Sequence, residues 1–346
     1  MQIGAAMTNL LVMKEHLKNF YGKYEVYITP TMKFLLALIS LVTINTNIGF
    51  MYRLKNPAVV LVISLLCSFL PWNTILLFAS AFIVLHLYSL SLECAVVVLI
   101  LFVLMFLLYF RFSPKDSVAV LLTPLCFVFR IPYVMPMAVG FVGTPMSAIS
   151  VGCGVIVYYV LDYVKVNSST LGNLEAESTI QKFKYVVDNI IGNKTMIVMV
   201  AAFGITVVLV YLVRRLSVNY AWKIAMVIGA ITDMMIILIG DLFMDINISI
   251  LSTIIGTVLS VLLIMVLQFF VFNVDYSRTE YVQFEDDEYY YYVKAVPKMM
   301  VAAPEKKVKR INPQKKSDSS SYHKTSSQGT RARSSVRGLD EDFDIR

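Results

Sequence analysis

The sequence predicts an all-α polytopic membrane protein with eight or nine transmembrane helices, a small cytosolic β-hairpin and a disordered C-terminal tail. Three observations carry this. Of the 346 residues, 58% are hydrophobic and 15% are charged, against about 25% charged in a soluble globular domain. The mean hydropathy is +0.71, too high for one water-soluble core to bury the apolar side chains. The composition then changes abruptly after Val274, from apolar to acidic and tyrosine-rich and then to basic and serine-rich.

Residues 1–30 are expected to form an interfacial amphipathic helix. Leu10, Met13, Leu17, Phe20 and Tyr24 recur at spacings of three or four, and Lys14 and Lys18 fall elsewhere on the wheel. A first membrane bundle is assigned to residues 31–165. A span needs about 20 mostly apolar residues, and Thr31–Phe50, Thr74–Leu90, Ala95–Phe110 and Ser147–Val164 supply them, with a short run at Pro57–Leu70. The count of eight or nine turns on residues 117–146, which are apolar but interrupted. Residues 166–194 are read as an extramembrane loop with a second amphipathic helix, where Ile180, Phe183, Val187 and Ile190 share a face. Residues 195–274 form a second bundle of three helices.

Residues 275–298 read as a juxtamembrane β-hairpin. The segment Glu285-Asp-Asp-Glu288 is its expected loop, and Tyr289, Tyr290, Tyr291 and Tyr292 open a second strand rich in strand formers. Those four tyrosines are candidate contacts for a protein partner or a second copy of the chain. Residues 299–346 are expected to be disordered. Ten Lys or Arg residues stand against Glu305 and Asp318 between Met299 and Arg337. Lys306, Lys307, Lys309, Arg310, Lys315 and Lys316 are the candidates for contact with anionic lipid headgroups.

Orientation follows from basic residues in short loops. Arg214, Arg215 and Lys223 flank one loop of the second bundle, and the opposite loop holds Asp241 and Asp245 with no base. This predicts a cytosolic C-terminus, and the plasma membrane is the expected location.

Chemistry-bearing motifs are sparse. His16, His86 and His323 have no ligand spacing, and there is no HExxH, Walker or GxSxG motif. Cys67, Cys94, Cys126 and Cys153 each sit in apolar runs. Leu238 replaces the first glycine of the GxGD motif that Asp241 would need to resemble an intramembrane aspartyl protease. No enzyme, metal, cofactor or nucleic-acid partner is therefore expected.

The candidate substrate path lies in the interrupted segment. Pro124, Pro132 and Pro136 each remove a backbone donor, and a broken helix in lipid must be enclosed by protein or line a wet cavity. Arg130 sits among them, and Asp233 falls near the middle of a later span. Intramembrane charges point to function, and pairing of these two would satisfy both. Asn45 and Asn47 add polar groups from the first span. Two functions are expected to compete: a permease-like component handling a small solute or lipid, and a non-catalytic assembly or envelope scaffold recruiting partners through hairpin and tail.

Overall fold

The computed structural model describes residues 2–173, 179–246, 248–271 and 280–295. The helices are α1 (Gln2–Ile48), α2 (Pro57–Phe69), α3 (Trp72–Leu90), α4 (Leu92–Phe112), α5 (Ser117–Val128), α6 (Val134–Val142), α7 (Ser147–Val166), α8 (Ser168–Asn173), α9 (Thr179–Ile191), α10 (Lys194–Arg214), α11 (Ala221–Met244) and α12 (Ile250–Val271). One hairpin follows, β1 (Glu280–Glu285) and β2 (Tyr290–Ala295).

Among the described residues, seven helices are long and apolar enough to cross a membrane, not eight or nine. The difference lies in α2 and α5, with 13 and 12 residues. At 1.5 Å per residue they reach about 18–20 Å, short of the roughly 30 Å of bilayer hydrocarbon. The outward faces of the long helices are apolar. On α12, Ile255, Val258, Leu262 and Val266 are exposed, whereas Thr253, Gly256, Thr257 and Ser260 turn inward. Small and polar residues let backbones approach and hydrogen-bond, so they take the protein-facing side when the outer medium is itself apolar. This pattern is compatible with a multi-pass integral membrane protein.

The N-terminal segment and the first span run together as α1, bent at Tyr24 (φ −115°, ψ 18°) and carrying Pro30 farther on. The Ser68 hydroxyl of α2 donates to the Pro30 carbonyl at 2.9 Å, and Lys33 donates to the Leu70 carbonyl at the end of α2. Lys14 reaches α12, donating to the Phe269 carbonyl at 3.0 Å. The segment expected to be a second amphipathic helix contains α9, which packs against protein. Val186 and Ile190 are buried in the same core as residues of α4 and α7, and Lys182 lies 3.8 Å from Glu93 at the start of α4.

α7 packs on both α5 and α10 and so joins two groups of helices. α1–α5 share the larger core with it, and α6 and α10–α12 lie on its other side. Close approach depends on glycine. A Cβ on Gly154 of α7 would sit 2.5 Å from the Thr123 Cβ and 2.9 Å from the Val120 carbonyl oxygen of α5. That carbonyl lies four residues before Pro124, which has no N–H to give it, so α7 fits against α5 where the helical ladder is broken.

The interrupted segment is two short helices, and its chemistry explains the break. The N–H of Arg130 bonds the Phe127 carbonyl at 3.0 Å, and the N–H of Ile131 bonds the Cys126 carbonyl at 2.9 Å. This paired pattern closes a helix through one left-handed residue. Arg130 occupies that slot at φ 60°, where glycine is usual. Pro132 follows and prevents the helix from resuming. Pro136 is the third residue of α6, where a missing N–H costs no helical bond.

Candidate functional site

The break between α5 and α6 opens onto a cavity of about 310 Å³. Arg130 enters from the end of α5, Asn47 and Thr43 from α1, and Tyr158, Asp162 and Lys165 from the last two turns of α7. The last three are spaced by four and three residues, which places them on one helical face. Lys165 donates to the Asn47 side-chain oxygen at 2.9 Å, and Asn47 donates in turn to the Thr43 carbonyl. Arg130 and Asp162 are both exposed, and no ion pair joins Asp162 to either base. Two bases against one acid leave an excess of positive charge around a space large enough for a small ligand group. A guanidinium and an ammonium facing one space suit an anion with several acceptor oxygens.

Arg130 in a left-handed slot costs roughly 1–2 kcal/mol relative to an ordinary helical residue. Such a position carries glycine when nothing is asked of the side chain, so an outlier of this kind points to function. Arg130→Gly is therefore expected to keep or raise thermal stability by up to about 1 kcal/mol. A lower unfolding midpoint in detergent would show that the arginine supports the fold instead.

Of the sequence-derived path residues, Arg130, Asn47 and Pro124 line this cavity. Asp233 does not, and the two charges that pairing would satisfy do not meet: Asp233 is fully buried and Arg130 is exposed. Asp233 lies against α10, where Thr206 approaches its Oδ1 at 3.5 Å, and its Oδ2 has no hydrogen-bond partner among the described residues. Tyr133, ahead of α6, bonds Thr253 of α12 at 3.3 Å. Asn45 also faces away from the cavity and has a structural partner. Its side-chain oxygen lies 2.7 Å from Nε2 of the fully buried His86, and its amide donates to the Leu54 carbonyl. The Met51 N–H donates to His86 Nδ1 at 3.1 Å, so Nε2 carries the proton toward Asn45. Pro132 and Pro136 shape the break without lining the cavity.

Lys165, Asp162 and Tyr158 did not enter the sequence-derived path. Their signal is a polar stripe at the end of an apolar run, four and then three residues apart, which reads equally as the edge of a span. A further residue without a sequence-derived role in the fold is Arg214, at the end of α10. Its guanidinium donates to the carbonyls of Phe141 and, at 2.8 Å, Gly143, which close α6. It also lies 5.0 Å from the Tyr211 ring centre and 5.6 Å from that of Trp222.

No protein-family model, curated protein or solved structure matches this chain.

The hairpin loop is Asp286–Tyr289, one residue later than the acids alone suggest, because Glu285 pairs with Tyr290. Asp286 closes the turn. Its Oδ1 accepts from the Glu288 and Tyr289 amides at 3.0 and 2.6 Å, and its Oδ2 accepts from the Tyr291 hydroxyl at 2.8 Å. The register puts Val282, Phe284, Tyr291 and Val293 on one face, with Phe284 and Tyr291 stacked, and Tyr290 and Tyr292 on the other. Both faces are exposed. The candidate lipid-binding bases Lys306–Lys316 and the tail expected to be disordered, residues 299–346, lie outside the described residues.

The Tyr291 hydroxyl, with the amides of Glu288 and Tyr289, holds the Asp286 carboxyl below the usual carboxylate range. A depressed folded value stabilises the hairpin at pH values above the unfolded pKa of about 3.9, and that support is lost as pH falls through the folded value. Amide protection at Glu288 and Tyr289, corrected for intrinsic exchange, is expected to drop on acidification below about pH 4 and not at pH 5–7. Asp286→Asn should remove the pH dependence. Protection that is flat across this range in the unsubstituted protein would refute the assignment.

Proposed function

We propose that this chain is an integral multi-pass membrane protein of permease-like type, handling an anionic solute or lipid at the cavity beside the α5–α6 break. The observation that carries the reading is that Arg130 and Lys165 line one space, between α1 and α7, where a helix is broken. Broken helices at a polar cavity are a recurrent means of presenting a binding site within a membrane.

The test uses the full chain in phosphatidylcholine nanodiscs and three probes: inorganic phosphate, glycerol 3-phosphate and phosphatidic acid. At least one should bind, and the paired change Arg130→Gln with Lys165→Gln should weaken it about tenfold or more, since each charge-assisted bond contributes about 1.5–3 kcal/mol. Binding of none of the three, or binding indifferent to both substitutions, would remove the reading.

The hairpin favours a second reading, a scaffold that recruits a partner. A lone two-stranded hairpin is marginally stable in water, and this one exposes Val282, Phe284 and Val293 on a single face. Deleting residues 275–346 should leave anion binding intact if the cavity is the working part. It should abolish recruitment of an associated protein if the scaffold reading holds.

A further inference from the structure

A second cavity, about 60 Å³, adjoins the polar one. It lies between α1, α3, α4, α5 and α7, and its walls are almost entirely apolar: Ala79, Ile83, Phe102, Met105, Leu121 and Val157 among them. Thr43, Pro124 and Leu161 are walls of both cavities. The two spaces therefore adjoin at these residues, one with polar and cationic walls and the other with apolar walls.

The shortage of free polar partners marks the inner space as one for hydrocarbon. A water needs two to four polar partners, and the hydroxyls here are largely committed elsewhere. Tyr109 donates to Asn73 and to the Pro114 carbonyl, and Ser80 donates to the Leu77 carbonyl within its own helix. The buried Ser40 hydroxyl lines the cavity and has no hydrogen-bond partner among the described residues, but one such group is too few to hold a water. Roughly 10–15 Å³ of such space takes one water-sized sphere, so about four to six methylene-sized groups fit.

We infer that the ligand is an anionic amphiphile: a lipid whose phosphate or carboxylate headgroup lies between Arg130 and Lys165, and whose first acyl methylenes pass Thr43, Pro124 and Leu161 into the apolar cavity. The inference rests on the anion-site reading of the same polar cavity and adds the tail. Arg130 and Lys165 supply donors for the headgroup oxygens. Asp162, on the same wall, disfavours a second negative charge close to α7. The joint requirement selects against both of the simpler ligands. A free phosphate leaves the apolar cavity empty, and a neutral lipid leaves two cations without an acceptor.

The experiment reads headgroup and tail separately. Full-length protein is placed in nanodiscs of equal parts phosphatidylcholine and phosphatidic acid, and the lipid that stays with it on release is counted by native mass spectrometry. Glycerol 3-phosphate binding is measured in parallel in phosphatidylcholine nanodiscs. Phosphatidic acid should be retained about tenfold over phosphatidylcholine, and glycerol 3-phosphate should bind at least tenfold more weakly than phosphatidic acid. Ala79→Leu, which fills the apolar cavity, should cut phosphatidic acid retention and leave glycerol 3-phosphate binding unchanged. Ser80→Leu fills it from a less buried position and serves where Ala79→Leu lowers the yield of folded protein. Arg130→Gln with Lys165→Gln should abolish the preference for phosphatidic acid. If glycerol 3-phosphate binds as well as phosphatidic acid, or if both filling variants retain phosphatidic acid undiminished, the amphiphile inference is overturned and the anion site stands. If no anion binds at all, both fall together.

Discussion

Arg214→Ala is expected to destabilise the protein by about 3 kcal/mol. The guanidinium is half-buried and donates to two carbonyls at the end of α6, Phe141 and Gly143. A helix end leaves its last carbonyls without intrahelical donors, and water reaches this one poorly. Alanine removes two charge-assisted bonds and leaves both acceptors unpaired. It also removes the stacking of the guanidinium over Tyr211 and Trp222, about 0.5–1 kcal/mol in exposed settings. Arg214→Lys should recover less than half, because an ammonium cannot fork to two carbonyls in the same way. The measurement is the unfolding midpoint in detergent, together with the fraction that elutes as a single folded species. A midpoint within error of the unsubstituted protein would show that the two bonds contribute nothing net.

Gly154→Val should be at least as damaging, at about 3 kcal/mol or more, by the opposite mechanism. Here nothing is lost; atoms are added where there is no room. The first added carbon meets the Thr123 Cβ and the Val120 carbonyl oxygen, and the latter is backbone that cannot rotate away. α7 must then retreat from α5. Because these two helices supply Lys165, Asp162 and Arg130 to the polar cavity, anion binding should fall along with stability. Thr123→Gly in the Gly154→Val background should restore part of the midpoint, since the two sites are in contact and their effects are coupled. Changes at Gly22, where a Cβ would meet nothing within 4 Å, should leave the midpoint nearly unchanged. Equal losses at Gly154 and Gly22 would mean that backbone entropy, not close packing, governs both.

These expectations locate what was legible in the residues alone. The broken segment was legible because proline and the position of Pro132 act locally: a missing N–H disrupts a helix whatever surrounds it. The hairpin was legible for the same reason. Alternation and tyrosine content are properties of adjacent residues, and the register differs from expectation by one position only because Asp286, not Glu285, closes the turn. Arg130 was singled out for being a charge in an apolar run, and it does line the cavity.

What was illegible is the identity of neighbours. Asp233 and Arg130 carry opposite charges, yet burial separates them: one is enclosed by α10 and the other stands at an open helix end. Asn45 and Asn47 are two residues apart on one helix, and two residues turn a side chain by about 200°. One therefore meets His86 and the other meets Lys165. The left-handed Arg130 runs against local preference and is held by the bonds to Cys126 and Phe127.

Composition and pattern alone predicted an apolar, helix-rich chain, roughly where its long helices lie, and the polar hairpin after the last long helix. Each follows from composition and short-range periodicity, which act within a few residues. It took the three-dimensional arrangement to show that, among the described residues, seven helices are long and apolar enough to span, that α7 stands between two helix groups, and that Arg130 lines a cavity with Lys165 and not with Asp233. Periodicity states which side of a helix turns inward. It carries no information about which helix lies opposite, because apolar faces are interchangeable in hydrocarbon and are matched by shape, through glycines such as Gly154 and capping side chains such as Arg214.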